Sequence, residues 1–399
     1  MFRAALTGLD PRVPWVSGAF FLFIAARLSV LTFVTIFYVR EVGLDTAAVG
    51  LAFLLENVMR ALAAPIAGTL SDRVGRVPLL VTSALAAAVV MPAFLLVRDV
   101  PTLLVWSACI GLAQAPFFAV ATALLLDLVP PERRQRALAL NYSALSVGYT
   151  VGVAPAGFLA ERSFTALGLA SSALFMLVAA IALVRLRGAP RDAAVHAEAG
   201  FAARTVQAFR DGPFLLLASL AFALPLSLGL VSLAVPLFAA EAGAQPSGIG
   251  LALAASGLLS LLAVPANSAL ERYGPFRSLP PAALLVAVSY VALVLGAPSL
   301  VGFLVAIGIF TLGEIVFAAA LPAAVASLAP AGARGAYQGA WSMVIALGIG
   351  SALFVAGLGR STIGWPATWL GFAAVTTVAA VGLALAGRRL TAVAVARAA

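Results

Sequence analysis

The chain has no lysine, one cysteine, one histidine and few charges of either sign: its 24 basic residues are all arginine, 15 are acidic, and charged residues make up 10% of 399. Each scarcity excludes something. A single cysteine, Cys109, rules out an internal disulfide and, lying in an apolar run, reads as a packing residue. The lone histidine, His196, falls in a polar connection with no second His or Cys to complete a metal site. Without lysine there is no Gly-Lys-Ser/Thr phosphate loop, so ATP-driven pumping by this polypeptide is excluded and no cofactor is expected. With no histidine in an apolar run and no His-Glu-x-x-His pair, an intramembrane enzyme lacks its machinery. A soluble domain carries about 25% charged residues, so a water-soluble chain is excluded as well.

What fills the sequence is apolar: 63% of residues are hydrophobic and the mean hydropathy is +1.11. Runs long enough to cross a hydrocarbon core as helices recur at about 15–39, 46–69, 77–97, 101–127, 137–160, 165–186, 213–239, 248–270, 279–297, 300–328, 336–358 and 364–387. A β-barrel would show short alternating segments instead. The first run is too long for a signal-peptide core and lacks a small-residue cleavage site, so it is expected to remain as the first membrane helix. With a cytoplasmic N-terminus, the outer loops hold only Arg40, Arg98, Arg162 and Arg360, and Arg27 and Arg60 lie within spans; the remaining eighteen of the 24 arginines are inside. That asymmetry predicts both termini in the cytoplasm. It also spreads the +9 charge over many loops, which argues against a nucleic-acid-binding arm.

The chain repeats itself at an offset of 200. Glu41 matches Glu241, Gly43 matches Gly243, and Gly50-Leu51-Ala52 matches Gly250-Leu251-Ala252. The same offset pairs Pro65 with Pro265, Pro130 with Pro330, Arg134 with Arg334, Gly148 with Gly348 and Gly157 with Gly357. The expected fold is therefore an all-α membrane protein: twelve transmembrane helices in two parallel-repeat six-helix bundles, 1–186 and 213–399, joined by a polar cytoplasmic loop at 187–212.

Between the second and third runs stands GTLSDRVGRVPLL (68–80), and its repeat counterpart is ALERYGPFR (269–277), where Glu271, Arg272 and Gly274 stand for Asp72, Arg73 and Gly75. The pattern Gly68-x-Leu70-x-Asp72-Arg73-x-Gly75-Arg76 resembles the signature loop of the major facilitator superfamily of transporters. The resemblance covers the whole chain and implies alternating access without catalytic chemistry. Glycines here allow a tight turn, and Asp72 can pair with neighbouring arginines and helix ends as a conformational latch, with Asp72→Asn expected to cut transport much more than expression. The bland alternative is a solvated, positive-inside anchor. Many family members carry an arginine in the fourth helix four residues before a glycine, where this chain has Ser107 before Gly111. The fifth-helix pattern VGYTVGVAPAGFLA (147–160) keeps Gly148, Gly152, Pro155 and Gly157 of the family's antiporter pattern, but has Ala154 before the proline. Those small residues also serve simple close packing. Asp127 and PPERRQR (130–136) look like the family's turn between the fourth and fifth helices, read as structural.

Charges within the spans are few: Arg27, Glu56, Arg60 and Glu314. A charge at the bilayer centre costs at least ~2.5–3.5 kcal/mol on insertion scales, so each is expected to face a cavity or a partner. Glu56 and Arg60 lie one helical turn apart and can satisfy each other. Arg27 has no partner in its own helix and has Ser227 as repeat counterpart; the resemblance places it in the central cavity, binding a substrate anion or pairing with Glu56 or Glu314. Gly308, Thr311 and Glu314 share one helical face, and the repeat counterpart of Glu314 is Gln114. A buried carboxyl there is the expected proton-coupling residue, with a permanent structural bond as the alternative. The run LAPAGARGAYQGAWSM (328–343) is most similar to bacterial multidrug-type members, which implies an inner-membrane monomer that exports an amphipathic compound in exchange for protons. A metabolite or organic-anion carrier of the same fold is the second expectation, and a non-transporting receptor the third.

Overall fold

Polar caps and early prolines decide where the helices begin. Asp45 accepts from the amides of Ala47 (2.8 Å) and Ala48 (3.1 Å) at the head of Thr46–Val74. Asp99 and Thr102 form a reciprocal capping box at the head of Val100–Asp127, with Pro101 in its first turn. Ser163 and Ser299 cap Phe164–Arg185 and Leu300–Leu328 by a single bond each, accepting from the amides of Ala166 and Gly302. The structure, a computed structural model, describes residues 10–130, 133–188, 206–260, 273–296, 299–330 and 333–398. Glu271, Arg272 and His196 lie outside them.

Thirteen α-helices are described: α1 (Val13–Ile36), α2 (Thr46–Val74), α3 (Arg76–Val90), α4 (Val100–Asp127), α5 (Arg134–Arg162), α6 (Phe164–Arg185), α7 (Gly212–Ala221), α8 (Ala223–Gly229), α9 (Val235–Glu241), α10 (Pro246–Leu259), α11 (Pro275–Gly296), α12 (Leu300–Leu328) and α13 (Arg334–Ala398). Among the described residues nine helical runs are long and apolar enough to cross a membrane, against the twelve expected. Three differences account for the count. The eleventh and twelfth spans form one run, α13, turned at Gly364 (φ 78°). The eighth is described only over the 14 residues of α10. The fifth, α5, is helical over the 29 residues Arg134–Arg162 but is not among the nine.

Two compact units emerge, Met1–Ala194 with Gln245–Gly257, and Val195–Ala244 with Leu258–Ala399. In the first, α1 is the buried element: 83% of its apolar window is inside, against 39–50% for α2, α3, α4 and α6. Glycine lets α5 lie against it, since a Cβ on Gly148 would stand 2.6 Å from the Phe21 carbonyl oxygen and one on Gly152 the same distance from the Ala25 Cα. Residues 245–257 join this unit although the repeat counts them with the second half. The reason is again small residues: a Cβ on Gly157 would collide with the Pro246 carbonyl, and one on Gly250 would stand 2.8 Å from that of Val153. Pro155 sits inside α5 without ending it.

In the second unit the run Ala223–Glu241 is the buried one, 89% inside. Gly348 of α13 meets Pro225 of α8, as Gly148 meets α1 one repeat earlier. The matched Gly43 and Gly243 both adopt positive φ, 80° and 98°, just after the first helical run of each half. Only glycine takes that turn without strain, so the backbone explains the match.

Candidate functional site

Three helices of the first unit bring three of the four intramembrane charges together. From α1, Arg27 donates through Nη2 to Glu56 Oε1 at 2.8 Å and through Nε to Gln114 Oε1 at 2.5 Å. Glu56, on α2, is buried, and its other oxygen accepts from Asn57 Nδ2 at 3.1 Å. Arg60, one turn on, keeps its Nε 3.8 Å from Glu56 Oε1, donates to Asn57 Oδ1, and lies over the ring of Phe118 on α4 at 5.4 Å. Gly111 permits the assembly, because a Cβ there would run into the Glu56 carbonyl and stand 3.1 Å from Met59 Cβ. Without that side chain, α4 closes on α2 at the height of Glu56, and Gln114, one turn further, reaches Arg27. Phe20 and Phe23 of α1 stack with Phe117 and Phe118 of α4, the tightest pair, Phe23–Phe117, having ring centroids 3.8 Å apart.

The two Glu56 pairings anticipated from sequence, with Arg27 and with Arg60, thus coexist in one cluster. Gln114 is a member of it, and Asn57 and Phe118 were not singled out as such by sequence. Ser107 is buried on α4, its hydroxyl without a hydrogen-bond partner among the described residues. Glu314 is separate: it sits half-buried on α12 of the second unit, with no hydrogen-bond or ion-pair partner among the described residues. On its face, Gly308 borders open space, and the Thr311 hydroxyl donates to the Ile307 carbonyl at 2.8 Å.

The signature loop is organised around Arg76. Gly75 (φ 97°) reverses the chain between α2 and α3 in a single residue, which delivers Arg76 back over the end of α2. Its guanidinium pairs with Asp72 Oδ1 at 2.7 Å and Asp127 Oδ2 at 3.1 Å, and donates to Ser71 Oγ. Asp127 is the buried partner, 3% exposed against 47% for Asp72. Gly68 joins through its carbonyl, which accepts from Ser71 Oγ at 2.7 Å, whereas Arg73 is exposed and takes no part in these bonds. Asp127 had a signal in the sequence: like Asp72, it is an acid at a membrane surface otherwise rich in arginine.

Two clusters of the second unit were missed. Asp211, ahead of α7, receives both Nη groups of Arg397 (2.8 and 2.9 Å) and the Tyr337 hydroxyl at 3.0 Å. Arg397 also donates to the Leu328 carbonyl. The Arg397 hydrogen bonds, aided by that from Tyr337, hold the Asp211 carboxyl below the usual carboxylate range, against its desolvation. Glu241 accepts from Arg360 at 2.8 Å and from the Trp365 indole at 2.7 Å. Nothing short-range in the sequence pairs residues more than a hundred positions apart.

The model of the Major Facilitator Superfamily matches residues 16–227 and 217–397. The chain belongs to this superfamily. It is a multi-pass membrane transporter of the major facilitator fold, and its family is one of carriers, not enzymes. Multidrug resistance protein MdtH of Enterobacter sp. (strain 638) is 30% identical over 171 residues, a match that spans 42% of that relative and 41% of this chain. The protein of the same name from Edwardsiella ictaluri (strain 93-146) is 28% identical over 342 residues, 83% of this chain and 84% of that one. Among solved structures, the D323A mutant of the nucleoside transporter NupG superposes with a TM-score of 0.77 over 94% of this major facilitator chain and 99% of its own, at 14% identity.

Proposed function

We propose that this transporter exports a small amphipathic compound across the bacterial cytoplasmic membrane by alternating access, in exchange for protons, as a monomer with both termini in the cytoplasm. The name of the relatives, multidrug resistance protein, supports the compound class, and the arginine asymmetry supports the orientation. The observation that carries proton exchange is Glu314: a carboxyl in the middle of an apolar helix with no cation or donor bonded to it among the described residues. Such a group is free to take up a proton on one side of the membrane and give it up on the other. Glu56 is the second candidate for that task, since Arg27 and Asn57 already bond to both of its oxygens.

The test is flux in proteoliposomes of the purified chain, across a panel of radiolabelled amphipathic cations, neutral compounds and anions, with and without a pH gradient. Glu314→Gln keeps the shape and removes the titration. It is expected to abolish pH-driven flux while sparing counterflow of the same compound. If gradient-driven flux survives in Glu314→Gln, Glu314 is not the coupling residue and Glu56 is tested next.

A further inference from the structure

We infer that the substrate cluster of the first unit selects an aromatic anion. This takes the cluster of Arg27, Glu56, Arg60 and Gln114 as the place where the exported compound of the proposed function binds, and names the charge of what binds there. Three observations carry it.

The first is charge. Two guanidiniums face one carboxylate, and no second acid pairs with either arginine among the described residues. One positive charge is left over, at a depth where an unbalanced charge is expensive and so calls for a counter-ion. The second is exposure. Glu56 shows 2% of its side chain, whereas Arg27 shows 11% and Arg60 22%. A ligand reaching the cluster therefore meets N–H donors, and the only carboxylate is shielded behind them. A cation would meet like charge without reaching its partner. The third is an unpartnered donor. Gln114 is wholly buried, and its Nε2 lacks a hydrogen-bond partner among the described residues although its Oε1 is engaged by Arg27. A buried amide N–H without an acceptor is a costly vacancy, and a carboxylate or sulfonate supplies acceptors only. Phe118, half-buried under Arg60, adds a ring for an aromatic body to lie against.

Binding to the purified full-length protein in detergent, by equilibrium dialysis without any gradient, tests this. The probes are radiolabelled 2-naphthalenesulfonate, its cationic analogue 2-naphthylmethylammonium, and neutral 2-naphthalenemethanol. The anion is expected to bind at least about tenfold more tightly than the cation, the discrimination of one charge-assisted contact. Arg60→Gln is expected to lose about that factor for the anion alone, and Arg60→Lys, which keeps the charge but not the fork, to lose less. Glu56→Gln should strengthen anion binding by exposing a second positive charge, an effect opposite in sign to that of general misfolding. Tighter binding of the cation, anion binding that is indifferent to Arg60→Gln, or weaker anion binding in Glu56→Gln would each overturn the inference. Because no gradient is present, failure here leaves proton exchange standing, and failure of pH-driven flux leaves anion binding standing.

Discussion

At the scale of single residues, the arginines decide more than the acids they hold. Arg76 bonds to a buried carboxylate, an exposed one and a hydroxyl at once, so removing it strands Asp127 in a site with 3% exposure. Uncovering one partner of a buried pair costs about 3–5 kcal/mol, whereas an exposed pair contributes only about 0–1 kcal/mol. Thermal unfolding in detergent is therefore expected to rank Arg76→Ala as the most damaging, Asp127→Asn next, and Asp72→Asn nearest the parent. An equal loss in Asp72→Asn would return the loop's centre to the exposed acid. The sequence pointed to Asp72 because an acid defies the positive-inside rule. It could not show that Arg76 is the hub, since that depends on Gly75 folding α3 back beside α2.

At the scale of elements, glycine sets how closely helices approach, and that spacing builds the site. Gly111 is where α4 meets the α2 backbone. Gly111→Val forces the two apart by side-chain volume, an overpacking cost of about 1–3 kcal/mol, and withdraws Gln114 from Arg27. The variant is expected to lose affinity for 2-naphthalenesulfonate along with thermal stability. Gly308→Ala, at a glycine whose Cβ would meet open space, should change neither by a comparable amount, and serves as the matched control. Small residues on α5 were anticipated as packing positions. Their partners, α1 for Gly148 and Gly152 and α10 for Gly157, were not.

At the scale of the whole chain, two halves of common design carry different residues at matched positions. At the 200-residue offset, Arg27, Glu56, Asn57, Arg60 and Phe118 correspond to Ser227, Ser256, Gly257, Ser260 and Ala318, while Gln114 corresponds to Glu314. At these matched positions the first unit holds the arginine cluster and the second holds Glu314, so on the proposed roles a variant of Arg60 and a variant of Glu314 should separate binding from pH drive. The second unit is also closed by a long-range tie, Asp211 to Arg397, 186 positions apart. Asp211 has its carboxyl held below the ordinary value by that bond, so the stabilisation is full above the unfolded value, near pH 4, and is lost as pH falls through the folded one. Asp211→Asn is thus expected to lower stability by about 1–3 kcal/mol at pH 7. The gap from the parent should narrow as the melts are taken below pH 4. A gap independent of pH would mean that the carboxylate charge contributes nothing.

The sequence by itself determined the class, the repeat, the family resemblance and which charges fall within the apolar runs. Each of these is written in composition, periodicity or fixed spacing: apolar runs long enough for a bilayer, an offset of 200, glycines where a turn needs positive φ, and charges too costly to leave in a membrane without a purpose. Tertiary structure alone decided the pairings. Arg27 lies 29 positions from Glu56 and 87 from Gln114, Arg76 lies 51 from Asp127, and nothing local selects those partners from the other candidates. Helix packing selects them, through missing Cβ atoms such as that of Gly111. The same packing places 245–257 with the first unit, because which small-residue faces meet is a property of the surfaces helices present to each other and not of their order along the chain.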